Sequence, residues 1–271
     1  MTTAPTTRFV AAELRWVLRR PRTLVMLGVL ALVPVLIAVG VAAADRGPGP
    51  GLVGAVAGNG LVLPVVAITL ALSLLLPLAV ATAAADAIAG EVAHGTLRGL
   101  LLAPVGRLRL VVMKAFGVLV VAALATAVIA VVGVLAGLAV IGNAGGGLVT
   151  LSGTTVGVVD AAGRIALVVA WTIGQLAAVG AIALAVSAVT EHPLVVLAAV
   201  LGGLIVFGVL SAIPALDWLQ PMLLTTGWTA GADALRDPLP LDDMAESSLR
   251  ALCYAAVGGG LTVLLMVDRD A

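Results

Sequence analysis

The sequence predicts an all-α, polytopic membrane protein with six transmembrane helices. Three observations carry that prediction. The chain is 62% hydrophobic with a mean hydropathy of +1.24, well above the ~45–50% apolar content of soluble domains. Only 10% of its residues are charged. The apolar residues also gather into runs that match or exceed the ~20 residues a helix needs to cross a bilayer.

Residues 1–22 come first. Val10, Leu14, Val17 and Leu18 recur at helical spacing, while Arg8, Arg15 and Arg19 gather on the other side. A cytoplasmic amphipathic helix lying on the membrane and a plain basic flank fit this pattern equally; the domain plan takes the first. The six-span domain then fills 23–271. Its first span, 23–44, ends in Ala42-Ala43-Ala44, which looks like a signal-peptidase site. The apolar run nevertheless exceeds the ~7–15 residues of a signal peptide and fits an uncleaved anchor. Residues 45–60 are rich in Gly and Pro and read as a loop. The second span, 61–85, contains Pro64 and Pro77 as expected kinks.

Residues 86–114 hold Asp86, Glu91, His94, Arg98, Arg107, Arg109 and Lys114. One ionised side chain at mid-bilayer costs ~2.5–3.5 kcal/mol on insertion scales, so this stretch must lie in water or at the membrane surface. Helix is expected to continue from the second span to about His94. Gly95 permits a turn, Thr96 caps a short helix, and Pro104 ends it. Leu97, Leu100 and Leu101 share one side of that helix, within an arc of about 100°. Arg107 and Arg109 are expected to snorkel at the start of the next span. The later spans fall at 110–141, 161–190, 194–213 and 249–267. A Gly-, Ser- and Thr-rich loop follows the third span, and a tight Glu191-His192-Pro193 turn follows the fourth. The longest segment outside the spans is 214–248.

Basic residues orient the plan. With both termini cytoplasmic, ten of the fourteen Arg and Lys residues lie inside, leaving Arg46, Arg164, Arg236 and Arg250 outside. The loop 86–109 is then cytoplasmic and 214–248 faces outward. Balanced overall charge argues against a nucleic-acid partner. The acids of 214–248 lack the spacing of a calcium loop.

Several chemistries are excluded. The only lysine, Lys114, stands in Met113-Lys114-Ala115, so no Gly-Lys-Ser/Thr phosphate loop exists to hydrolyse ATP. Two histidines without H-E-x-x-H exclude a zincin-type protease. Glu91 and His94 are three apart on a helix, but with no third ligand an interfacial polar pair is the better reading than a metal site. The span interiors offer mainly Thr69, Ser73, Thr126, Thr172, Gln175 and Ser187, none of which titrates; all but Ser187 are taken as candidates for lining a translocation path. Small residues at Gly133/Gly137, Gly180 and Gly202/Gly203 read as sites of close helix packing. Energy for uphill transport must then enter from another subunit.

Gly90-Glu91-x-x-x-Gly95-Thr96-Leu97, followed by leucines, Ala103-Pro104 and Arg107 before a new span, resembles the cytoplasmic loop of ABC transporter type-2 permeases. The 187–193 turn and the Asp268-Arg269-Asp270 tail agree with that family. Val92 and Arg98-Gly99 depart from its usual pattern. The resemblance implies a non-catalytic exporter subunit that pairs with a second permease copy or homologue and with two cytoplasmic ATPase subunits, in contact with membrane lipid. It further implies an ATPase-coupling set of Glu91, Gly95, Thr96, Leu97, Arg98, Leu100, Leu101 and Pro104. No cofactor is implied in this chain, ATP and Mg2+ being bound by the partner ATPase. The cargo implied is lipophilic, and the setting is a bacterial plasma membrane. An ion-coupled carrier or channel and a non-transporting scaffold are the alternatives.

The basic asymmetry yields a labelling prediction. Cysteines placed at Gly99 and Asp242, in a variant lacking Cys253, should react from opposite faces of the membrane. Labelling of both by an impermeant reagent on intact cells would overturn the six-span plan.

Overall fold

A computed structural model describes residues 20–44, 54–57, 59–93, 106–142 and 146–268. Nearly all of the regular structure is helix. Helix α1 spans Pro21–Ala43, α2 Leu63–Leu72, α3 Leu75–Ala87 and the short α4 Ala89–Ala93. Helix α5, Arg107–Ala136, runs on as a π-helical turn over Gly137–Ile141, and α6 is Val158–Val189. Helix α7 is Pro193–Ser211 and α8 is Asp242–Val267. Five helices (α1 and α5–α8) are each long and apolar enough to cross a membrane.

The sixth crossing is made by two helices. α2 and α3 meet at a bend of 56°, where Leu74 leaves helical geometry at φ −150°, ψ −50°. The sequence expects kinks at Pro64 and Pro77; the structure corrects the first and agrees with the second. Pro64 starts α2, where a missing N–H costs nothing. Pro77 acts one turn earlier, because a proline ring clashes with the carbonyl four residues before it, here that of Ser73. The freed carbonyl of Leu70 accepts the Ser73 hydroxyl at 2.7 Å.

The bent pair crosses the bundle rather than turning back. At its start, Gly60 N–H donates to the Gly142 carbonyl at 2.9 Å, beside the far end of α5. At its finish, Asp86 meets Arg20 at the near end of α1. Because α1 and α5 both span, the pair between these ends spans too. The near ends of α1 and α5 also share a side with the finish of α8, where Arg107 reaches the Met266 carbonyl at 3.0 Å.

The helix starts and ends differ slightly from the sequence-based plan. The clearest shift is α8, which begins at Asp242 rather than near residue 249. Its acidic first turn suits the positive end of the helix dipole. The segment before it folds into two 3-10 stretches, Pro214–Met222 and Leu224–Leu235. The loop after α5 carries a small antiparallel hairpin, β1 (Leu148–Val149) with β2 (Thr155–Val156). These parts lock together. Leu151 N–H donates to Leu235 O at 2.7 Å, while Asp237 accepts from Thr154 Oγ1 at 2.8 Å and from Arg164 Nη2 at 3.1 Å. Arg250 reaches the Leu223 carbonyl, Thr226 and Glu246. The arginines that run against the charge asymmetry at 164 and 250 thus fasten this cap.

Helix α6 is central, with half of its most apolar window buried, against 11% for α7 and 17% for α1. Glycines set the closest crossings. A Cβ on Gly137 would stand 2.1 Å from the Gly60 carbonyl oxygen, and one on Gly133 would stand 2.8 Å from the Pro64 Cα. On Gly180 it would meet Val118 and Val80. Gly202 and Gly203 depart from the expectation, since a Cβ there meets nothing within 4 Å among the described residues. Gly137→Ala should therefore cost ~1–3 kcal/mol by overpacking, whereas Gly202→Ala should stay within ~0.5 kcal/mol. Thermal unfolding of the isolated chain in detergent checks this, and equal effects would refute the close crossing.

Candidate functional site

The polar stretch that the sequence singles out begins where α3 stops. Ile88 breaks the helix at φ −123°, ψ −62°, and α4 restarts at once. Its first N–H, on Ala89, donates to Ser187 Oγ of α6 at 2.9 Å. The same hydroxyl lies 3.5 Å from the Ala85 carbonyl at the end of α3. One serine thus joins the end of α3 and the start of α4 to α6 without leaving a buried backbone group bare.

One turn on, Glu91 Oε1 accepts from Lys114 Nζ at 2.5 Å, with the two side chains 13% and 6% exposed. Lys114 sits two turns inside α5 and is held there by this pair. A side chain this polar is costly at that depth, and a partner in hydrogen-bonding contact offsets part of the cost. Nearby, Asp86 accepts from Arg20 Nη1 at 2.9 Å and lies 3.9 Å from Arg22. Arg107 donates to the carbonyls of Met266 and Val267 at the end of α8. That corrects the expectation for Arg107: it caps a helix C-terminus, where a cation is favoured by the dipole, rather than snorkelling. Side chains of α1, α3, α4, α5 and α6, with the last turn of α8, therefore converge at one end of the bundle.

Of the sequence-predicted coupling residues, Glu91 stands in this junction. Gly95, Thr96, Leu97, Arg98, Leu100, Leu101 and Pro104 lie outside the described residues, as do His94 and the amphipathic segment before residue 20. Lys114, Ser187 and Asp86 join Glu91 here without belonging to the coupling set that the resemblance implies. The sequence held one usable signal, a single lysine placed just inside an apolar run.

The five residues considered for a path sit elsewhere. Thr69 and Thr126 donate to their own helix carbonyls at 2.9 and 2.8 Å, and Ser73 is exposed at the bend. Thr172 and Gln175 are fully buried on α6, and among the described residues neither the Thr172 hydroxyl nor the Gln175 amide atoms meet a hydrogen-bonding partner. Each such group costs ~1–3 kcal/mol, so this part of α6 is held without the hydrogen bonds it can make.

A family model described as "ABC-2 family transporter protein" matches residues 10–229. No curated protein matches the chain.

The buried pair makes a sharp prediction. Lys114→Met alone should destabilise the chain by ~3–5 kcal/mol, because Glu91 remains buried without its cation. Adding Glu91→Gln should recover most of that loss. Thermal unfolding of the single and double variants in detergent decides it, since strictly additive losses would mean the two side chains do not hold each other.

Proposed function

We propose, since this chain belongs to the ABC-2 transporter family, that it is the permease of an ATP-driven exporter of lipophilic molecules. Family membership makes it the membrane component of an ABC transporter and not itself a catalyst. It also implies association with an ATP-binding-cassette component. Within the proposal, two such ATPase subunits bind ATP and Mg2+, and a second permease copy or homologue completes the membrane unit. The setting is a bacterial plasma membrane, with the Arg20–Asp86 end and both termini cytoplasmic.

One observation carries this reading. The junction around Glu91 and Lys114 is polar, buried and tied to six helices, and it stands directly before residues 94–105. A force applied to that loop reaches α5 through the ion pair and α6 through Ser187. In the sequence, Leu97, Leu100 and Leu101 form one apolar side of the loop's short helix, suited to a groove on the ATPase. Gly95 and Thr96 set its angle, and Pro104 ends it.

Burying a leucine is worth ~1.5–3 kcal/mol, and ~1.4 kcal/mol is tenfold in affinity. Leu97→Asp with Leu101→Asp should therefore weaken ATPase association by at least ~100-fold. Glu91→Ala should leave association near normal yet lower transport per ATP hydrolysed. Quantitative pull-down against matched amounts of inserted permease tests the first, and undiminished binding would end the coupling assignment.

A further inference from the structure

Beside the junction lies a cavity of about 350 Å3, at the small end of the ~300–1,000 Å3 range of ligand pockets. α1, α3, α5 and the first turn of α7 wall it. Its two ends differ in chemistry. At the mouth stand Arg20, Arg22 and Lys114 with Asp86; farther in, the walls are apolar, with Met26, Leu30, Leu75 and Val121 among them. Among the described residues, and counting Glu91, which holds Lys114, three cations stand with two carboxylates. Arg22 is the least committed, its side chain 86% exposed and its contact with Asp86 stretched to 3.9 Å.

The depth of the cavity is informative. On α1 its lining runs from Arg20 to Leu30, about 15 Å of helix and half of a ~30 Å hydrocarbon core. On α5 it stops at Val121 and on α7 at Leu197, both in the same half of their helices. The lining therefore stays within one half of the bundle's depth. None of Thr69, Ser73, Thr126, Thr172 and Gln175 belongs to it.

We infer that this cavity is a binding site for one acyl chain of an anionic phospholipid of the adjoining leaflet, its phosphate seated at Arg22, Arg20 and Lys114. The chain fills the apolar shaft and excludes water from it. The phosphate accepts charge-assisted hydrogen bonds from the guanidinium groups, first of all from the exposed Arg22. Because the ligand touches α1, α3, α5 and α7 beside the Glu91–Lys114 pair, its presence or absence changes the packing on which the proposed coupling acts. The inference rests on that reading only for naming the leaflet cytoplasmic.

The test uses the full chain reconstituted in nanodiscs of phosphatidylglycerol and phosphatidylcholine at one to three. After transfer to detergent, native mass spectrometry counts the retained lipids. One phosphatidylglycerol per chain is expected. Arg22→Ala, whose exposed side chain supports no packing, should lower retention at least tenfold. Ala83→Phe, which fills the cavity from α3, should abolish it, with thermal unfolding to confirm that the variant folds. In a titration with monoacyl phosphatidylglycerols, affinity should rise about fourfold per methylene until the shaft is full and then level off. Equal retention of phosphatidylcholine, indifference to Arg22→Ala, or retention by folded Ala83→Phe would each overturn the site. The cysteine labelling at Gly99 and Asp242 reports separately on orientation, and ATPase pull-down reports separately on coupling, so failure of either is distinguishable from failure of the lipid site.

Discussion

An ionised side chain or an open backbone hydrogen-bonding group has no solvent to turn to inside hydrocarbon, and the arrangement of this chain follows from that cost. Long helices close their own backbone bonds along the apolar runs. Charges are driven to the two ends, and wherever one lies a turn or more inside a helix, a partner is brought to it. Lys114 meets Glu91, and Arg164 meets Asp237 with the Ala234 carbonyl. These contacts tie helix ends to their neighbours, so the same requirement that sorts the residues also helps assemble the bundle.

The bend between α2 and α3 belongs to the same picture. The bent pair lays its start against Gly133 and Gly137 of α5 and brings Asp86 to Arg20 at its finish. Pro77 releases one carbonyl, Ser73 supplies a hydroxyl to another, and the chain turns at little electrostatic cost. The turn brings α3 under α6, where Ser187 receives the restart of α4. A movement entering through residues 94–105 thus meets a stiff junction first. Beyond it, in α6, stand Thr172 and Gln175, buried without partners among the described residues.

The outward faces carry a complementary message. α1 and α7 bury little of themselves, and a Cβ on Gly202 or Gly203 would meet nothing within 4 Å among the described residues. In a membrane those faces meet lipid or a second subunit, in keeping with the pairing proposed for this family member. The cavity beside α1 is different in kind, because a charged mouth and an apolar shaft select for a molecule with the same two parts.

Hydropathy and charge by themselves determined the class, the approximate spans and the polar stretch at 86–114, because burial in hydrocarbon acts on each residue's own chemistry. The loop resemblance likewise needed only local order: Gly90, Glu91, Gly95 and Pro104 are legible without a fold. What the tertiary structure decided were the relations between distant residues. Glu91 and Lys114 are 23 positions apart and Ala89 and Ser187 are 98 apart, so no periodicity connects them. The same holds for Arg107 and the carbonyls of α8, which turned an expected interfacial anchor into a cap, and for Gly137, whose need to be glycine comes from Gly60 across the crossing. A helix face chooses its neighbour only when all the helices are packed, and the partner of a buried charge is fixed by that packing rather than by the sequence around it.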